Sequence, residues 1–219
     1  MALLPKPGGA GFRTVAKTPT LYRLWGIVRR SGVKAWELAS APSWDKARPG
    51  RSALEAGYER ATWVEVARAC GRHVGSLLWD FTKFFDTIVV PLLLEFGLDL
   101  EFPWVDLVLG LHMHSAPRRL QIIECVGFAI LPLRSILPGC TLSIPFTRAY
   151  LRRKFEGLVR LHPRVSLSVY VDDVAQYCEG TYEEVEEGLS AAAVGLCVSR
   201  GNWVCKFLSS RCWLLRILR

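Results

Sequence analysis

Hydrophobic patterning predicts an α+β fold in which an antiparallel sheet is packed by helices. Three observations carry that expectation. The run Val165-Ser166-Leu167-Ser168-Val169-Tyr170-Val171-Asp172 alternates apolar with polar or amphipathic residues, which is the period of a half-buried strand. The shorter apolar run Gly75-Ser76-Leu77-Leu78-Trp79 has strand length and ends on Asp80. Stretches with helical spacing and recognisable caps alternate with these strands.

The elements follow in order. Thr18-Pro19 opens a helix as N-cap and first-turn proline, and Leu21, Leu24, Trp25 and Val28 form its apolar stripe before Gly32. Arg29 and Arg30 fall in its last turn, where a positive charge complements the helix dipole. Residues 40–50, with Ser, Pro and Trp, read as an irregular connection, and a second helix over 53–71 leads into the Asp80 strand. After Asp86, residues 91–96 read as a short helix ended by Gly97, residues 103–111 as another, and residues 118–123 and 127–133 as a strand pair. A long helix runs from Ser143 to about His162. Leu151, Phe155, Leu158 and Leu161 occupy one side of it, and Arg148, Arg152, Arg153, Lys154 and Arg160 the other. Thr181-Tyr182-Glu183-Glu184 is a capping box for a last helix whose inward stripe is Val185, Leu189 and Ala192, ending near Gly195.

Composition narrows the class. A chain of 219 residues can bury one large core or two small ones. Its 7 cysteines form no CxxC pair, so reduced thiols are expected rather than a disulfide framework or a zinc knuckle. His112 and His114 make an HxH on a short apolar segment with no nearby cysteine, where structural histidines are expected. The longest apolar candidate, 121–133, contains Glu124 and reaches Arg134, so no membrane span is expected. Met1 leads directly into Pro5-Lys6-Pro7-Gly8 with no secretory leader, and the expectation is an intracellular protein, the nucleus included, that is not secreted.

Charge is arranged as well as abundant. The formal net charge is +8, no acid precedes Glu37, and none follows Glu187. Two basic flanks surround a middle that holds the carboxylates, as expected of a chain that holds a polyanion and processes it at an acidic centre, and equally of a soluble protein with basic termini, between which charge alone does not choose. That centre is legible in Tyr170-Val171-Asp172-Asp173 and in Asp80. Adjacent carboxylates at a strand end repel each other and attract a cation. A cluster of Asp80, Asp172 and Asp173 suits hard divalent ions with oxygen ligands. Two such ions about 4 Å apart can activate an attacking oxygen and stabilise a leaving one.

These motifs resemble the reverse transcriptase family, of the retroelement type related to LINE-like and group II intron polymerases. Asp80-Phe81-Thr82-Lys83-Phe84-Phe85-Asp86 is similar to the family's first palm motif and Tyr170-Val171-Asp172-Asp173 to its YxDD motif. Leu3-Leu4-Pro5-Lys6-Pro7-Gly8-Gly9, followed by Phe12-Arg13-Thr14, resembles the fingers segment that contacts the triphosphate. Leu137-Pro138-Gly139-Cys140-Thr141-Leu142-Ser143 resembles the glycine-containing loop and template-side helix. The order of four motifs carries the resemblance, which a lone YxDD would not.

The resemblance implies a polymerase palm over 74–209, with a strand hairpin at 195–199 and 203–209, a partial fingers region over 1–73, a basic C-terminal tail over 210–219 and no recognisable thumb. It implies an RNA-directed DNA polymerase that uses two Mg²⁺ or Mn²⁺ ions, with an RNA template, a DNA or RNA primer and dNTPs as partners. Asp80, Asp172 and Asp173 would be the catalytic metal ligands, with the Phe81 carbonyl as a further oxygen donor. Lys6, Arg13, Phe85, Gly139 and Lys206 would contact the nucleotide, Phe85 as the ring that excludes a 2′-hydroxyl. Arg148, Arg152, Arg153 and Tyr170 would contact nucleic acid, although a solvated basic face explains the arginines as readily, and an ordinary core phenylalanine explains Phe85. Two departures stand out: Pro138 where the family commonly has Gln, and Asn202 where it often has Lys. Two alternatives remain, a catalytically inactive remnant that binds nucleic acid or protein and a palm polymerase that makes RNA. Phe85 and Tyr170 argue against the latter.

Overall fold

The computed structural model describes residues 1–5, 8, 11–81, 83–197 and 212–218. It separates into two compact units that are not consecutive stretches of chain: 1–39 with 85–150, and 40–84 with 151–219. The consecutive 1–73, 74–209 and 210–219 regions suggested by the motifs therefore do not coincide with the compact bodies.

The first unit contains a sheet in the order β2-β1-β4-β5, built from β1 (Ala2–Pro5), β2 (Phe12–Val15), β4 (Arg118–Ile122) and β5 (Cys125–Ile130). Its helices are α1 (Thr20–Ser40), most of α3 (Phe84–Thr87), α4 (Val90–Asp99), α5 (Trp104–Ser115) and the first turns of α6 (Ser143–Leu161). Helix α1 runs through Gly32 rather than stopping there, because Val33 beyond it is buried and Trp36 donates to the Leu100 carbonyl at 2.8 Å. Tertiary packing thus outweighs glycine's poor helix propensity. Arg29 grips the buried Asp106 with contacts of 3.1 and 2.9 Å, so its role in this unit is an ion pair rather than a dipole complement. Tilted ring contacts link Trp36 to Phe102 and Phe102 to the buried Phe146. Gly97 lies inside α4, where Leu107 packs so tightly that a Cβ would meet it at 2.8 Å.

The second unit is built on a sheet in the order β6-β7-β3-β8, from β3 (His73–Asp80), β6 (Ser166–Tyr170), β7 (Asp173–Gly180) and β8 (Cys212–Leu218). Every pairing in it is antiparallel. Residues 212–218, expected as a tail, instead pair with β3. Helix α7 (Tyr182–Cys197) packs on one face. There Trp79 donates to Gln176 at 2.8 Å, and Gln176 donates to the Ala192 carbonyl at 3.3 Å. Because α7 continues to Cys197, the expected strand beginning at Gly195 is a helix end; residues 203–209 lie outside the described residues. Helix α2 (Ala53–Ala69), capped by Ser52 with Glu55, reaches the opposite face, where the Trp63 ring lies tilted against that of Tyr177 at 5.9 Å. The 40–50 connection is less irregular than its composition suggests. Lys46 donates to the Val169 carbonyl and Val169 to that of Trp44, which covers the free edge of β6. Among the described residues no helix is long and apolar enough to cross a membrane.

Candidate active site

Three acids meet at one end of the second sheet. Asp80 ends β3 and lies directly opposite Asp173, the first residue of β7, while Asp173 in turn lies opposite Tyr170 at the end of β6. Directly opposed residues have Cα atoms about 5 Å apart and side chains on one face. Tyr170, Asp173 and Asp80 therefore form a row across three strands, on the face that α2 approaches. Val171 and Asp172 make the two-residue connection between β6 and β7. Val171 has φ 61°, an uncommon conformation for a β-branched residue, and Lys83, just beyond Asp80, has φ 52°. Both turns that carry acids thus hold non-glycine residues in the left-handed region.

The electrostatics agree with the placement. Burial pushes the Asp172 carboxyl above the usual carboxylate range, and the charges of Asp173 and Asp80 push it further, against an opposing backbone hydrogen bond. Asp80 and Asp173 are exposed. Among the described residues no three His, Cys, Asp or Glu side chains close around one point as a metal cage. The acids are neighbours on a ladder, and the site fits a hard cation through its chemistry: several carboxylates, mutually repelling, at an accessible strand end. Beside them a groove of about 300 Å³ runs between the sheet and α2, lined by Leu78, Ser168, Tyr170, Asp173, Gly57 and Arg60.

The remaining sequence-derived residues fall as follows. Phe81 is buried, its ring 5.9 Å from that of Phe84. Phe85 belongs to the first unit and is half-buried. Gly139, also in the first unit, has φ 85°, and a Cβ there would meet open space. Conformation, not crowding within the chain, is what calls for glycine at that position. Arg13 lies in β2 opposite Leu4, whereas Lys6 and Lys206 lie outside the described residues.

The basic side of α6 differs from a row of solvated cations. Arg148 is buried and paired with Glu37, Arg152 is held by Glu156 and the Ser40 carbonyl, and Lys154 donates to the Leu196 carbonyl at 2.6 Å. The spacing placed these residues on one helical side, but that side is itself packed over part of its length. Arg153 and Arg160 are exposed.

Sequence reasoning missed a polar cluster in the first unit. His114 is buried in the core and accepts the Leu137 amide on Nδ1 at 2.7 Å; burial lowers its pKa to about 3, so it is neutral. Arg118 donates to the Ser135 hydroxyl at 2.9 Å and to the His114 and Ser135 carbonyls at 2.6 and 3.0 Å. The available signal was the HxH itself, which identified His114 without revealing its partner.

This arrangement of sheet, helices and acid-bearing hairpin is a reverse transcriptase-like fold. The particular resemblance is to telomerase of Candida tropicalis. The apo enzyme truncated of its C-terminal domain matches with a TM-score of 0.61 at 13% identity, over 94% of this chain and 46% of that one. The telomerase in complex with a TWJ fragment of telomeric RNA matches with a TM-score of 0.63 at 13% identity, over 94% and 39%. The chain thus spans less than half the length of either neighbour. No protein-family model matches the chain, and no curated relative does.

Proposed function

We propose that this chain carries the nucleotidyl-transfer centre of an RNA-directed DNA polymerase of retroelement type. The observation that carries the reading is the pairing of Asp80 with Asp173 beside the Asp172 turn. The sequence motifs alone supply the retroelement assignment; the fold supports the coarser reading of a reverse transcriptase-like polymerase. Asp80, Asp172 and Asp173, with the Phe81 carbonyl, would hold two Mg²⁺ or Mn²⁺ ions. Such ions, when bound, neutralise phosphate charge and lower the pKa of an attacking hydroxyl. The chain's own contribution is to present the acids on a rigid ladder and to exclude water beneath them through the buried Trp79, Leu77 and Val174.

The same reading assigns the surrounding residues. Arg13 and Lys6 would clamp the triphosphate, Lys206 would lie near its leaving end, and Gly139 would allow close approach. Tyr170, extending the acidic row, would touch the primer end. Arg148, Arg152 and Arg153 would act on the template or nascent strand, which for Arg148 requires release from Glu37. An RNA template, a primer and dNTPs are the partners, and an intracellular site with access to the nucleus is the setting. The telomerase neighbour bound to RNA is a protein of this fold that holds such a polymer.

Primer extension on an RNA template, with dNTPs and either divalent ion, is the direct test. Incorporation that disappears in Asp80→Asn and Asp172→Asn, with RNA binding retained, is the expected result. Binding without incorporation in the parent chain would instead establish the inactive, nucleic-acid-binding alternative. That second reading is favoured by the altered motifs, Pro138 and Asn202 standing where the family commonly has Gln and often has Lys. Where extension is measurable, Phe85→Ala should raise ribonucleotide relative to deoxyribonucleotide incorporation. An unchanged ratio in folded protein would make Phe85 a packing residue.

A further inference from the structure

The loop that precedes Gly139 is held in an unfavourable shape by a set of side chains with no other evident task. Ser135 has φ 105°, a region that side-chain-bearing residues rarely adopt, and it is buried. A strained residue persists when its surroundings over-determine it. Here the constraint is visible. The Arg118 guanidinium donates to both the hydroxyl and the carbonyl of Ser135, at 2.9 and 3.0 Å. The Ser135 hydroxyl reaches Asp86 Oδ1 at 3.2 Å and the Ile136 carbonyl at 3.1 Å, either of which can accept its proton.

Backbone contacts complete the connection. The Ser135 amide donates to the Ile88 carbonyl at 2.8 Å and the Ile136 amide to the Phe85 carbonyl at 2.9 Å. The next amide, of Leu137, donates to His114 at 2.7 Å. Residues 135–137 are therefore fastened on one side to the turn that carries Phe85 and on the other to His114 and Arg118. Pro138 and Gly139 follow at once.

We propose that Arg118, Ser135 and Asp86 are positioning residues that set the spacing between the Phe85 backbone and the loop leading into Pro138–Gly139 and thereby govern which nucleotide sugar is accepted. The inference rests on the polymerase reading above for its functional half. Its structural half is independent: a fork of hydrogen bonds holds one strained residue, and that residue fixes the spacing between the two segments assigned to the nucleotide.

Two substitutions at Ser135 separate strain from hydrogen bonding. Ser135→Gly removes the hydroxyl and relieves the backbone, whereas Ser135→Ala removes the hydroxyl and keeps the unfavourable φ. The Gly variant should melt higher than the Ala variant, and both should lose nucleotide discrimination. Arg118→Met should speed hydrogen exchange at the Ile136 and Leu137 amides about tenfold or more, while amides of β6 and β7 keep their protection. It should also raise the ratio of ribonucleotide to deoxyribonucleotide incorporation several-fold, with a larger effect on the KM for dNTP than on kcat.

Unchanged exchange at both amides would overturn the clamp. Faster exchange with an unchanged sugar ratio would reduce the cluster to a structural role and overturn its part in selection. A parent chain that shows no extension would overturn the polymerase reading and the selectivity claim together. The exchange experiment would then still decide whether the clamp exists.

Discussion

Asp172 shows at residue scale how a site can cost stability. Its carboxyl is held above the ordinary range by burial and by two like charges, so the native state binds its proton more tightly than the unfolded chain. As pH rises through the ordinary carboxylate pKa and then the raised one, the native state loses stability relative to the unfolded state. Above both values the whole penalty is present. Asp172→Asn should accordingly raise Tm at pH 7, with the gain fading as pH falls below about 4, where the carboxyl is protonated in both states. A gain independent of pH would show that packing, not charge, is responsible. Added magnesium should raise the Tm of the parent more than that of the variant, because an ion held by the acids stabilises only the folded state. Equal responses would count against metal binding at this position.

At the scale of elements, two glycines in helices of the first unit make opposite cases. Gly32 sits within α1, and a Cβ there would meet open space. Gly32→Ala should stabilise by about 0.5–1 kcal/mol, through helix propensity and a less flexible unfolded chain. Gly110 in α5 is buried, and its Cβ would lie 2.6 Å from Leu142 and 2.7 Å from Phe146. Gly110→Ala should destabilise by about 1–3 kcal/mol, as overpacking does when rigid neighbours cannot withdraw. Denaturant midpoints for the pair provide the check. A destabilising Gly32→Ala would mean that the helix needs its glycine for something outside the described contacts.

For the whole molecule the governing quantity is charge. Lys and Arg number 28 against 20 Asp and Glu, and several of the cations that α6 brings together are already paired within the chain. Any affinity for RNA would draw on cations exposed at the surface, Arg160 among them. If the chain holds a polyanion, its affinity should fall at least tenfold between 50 and 200 mM salt, because each neutralised phosphate releases counterions. Fluorescence anisotropy of a labelled RNA measures this directly. Arg160→Ala should lower both the affinity and the salt slope, whereas Arg148→Ala should chiefly unfold the first unit around Glu37. An affinity indifferent to salt would remove the electrostatic basis of nucleic-acid binding.

Sequence by itself determined the α+β class, the period-two strand over 165–172, the acid-bearing turn that ends it and the helix beginning at Ser143, because these depend on short-range periodicity and capping. It also singled out Asp80 and Asp173, which the sheet then placed opposite one another. Tertiary structure alone decided the rest. Gly32 failed to stop α1 because packing beyond it outweighs local propensity, and residues 212–218 became a strand because β3 offered an edge. Arg148 turned inward because Glu37, distant in sequence, awaited it. Ser135 is the clearest case: nothing in a serine announces a positive φ, and only Arg118 and Asp86, brought near by the fold, can impose one. Local pattern encodes elements and the residues at their ends, whereas strain and charge pairing depend on neighbours that the chain meets only after it has folded.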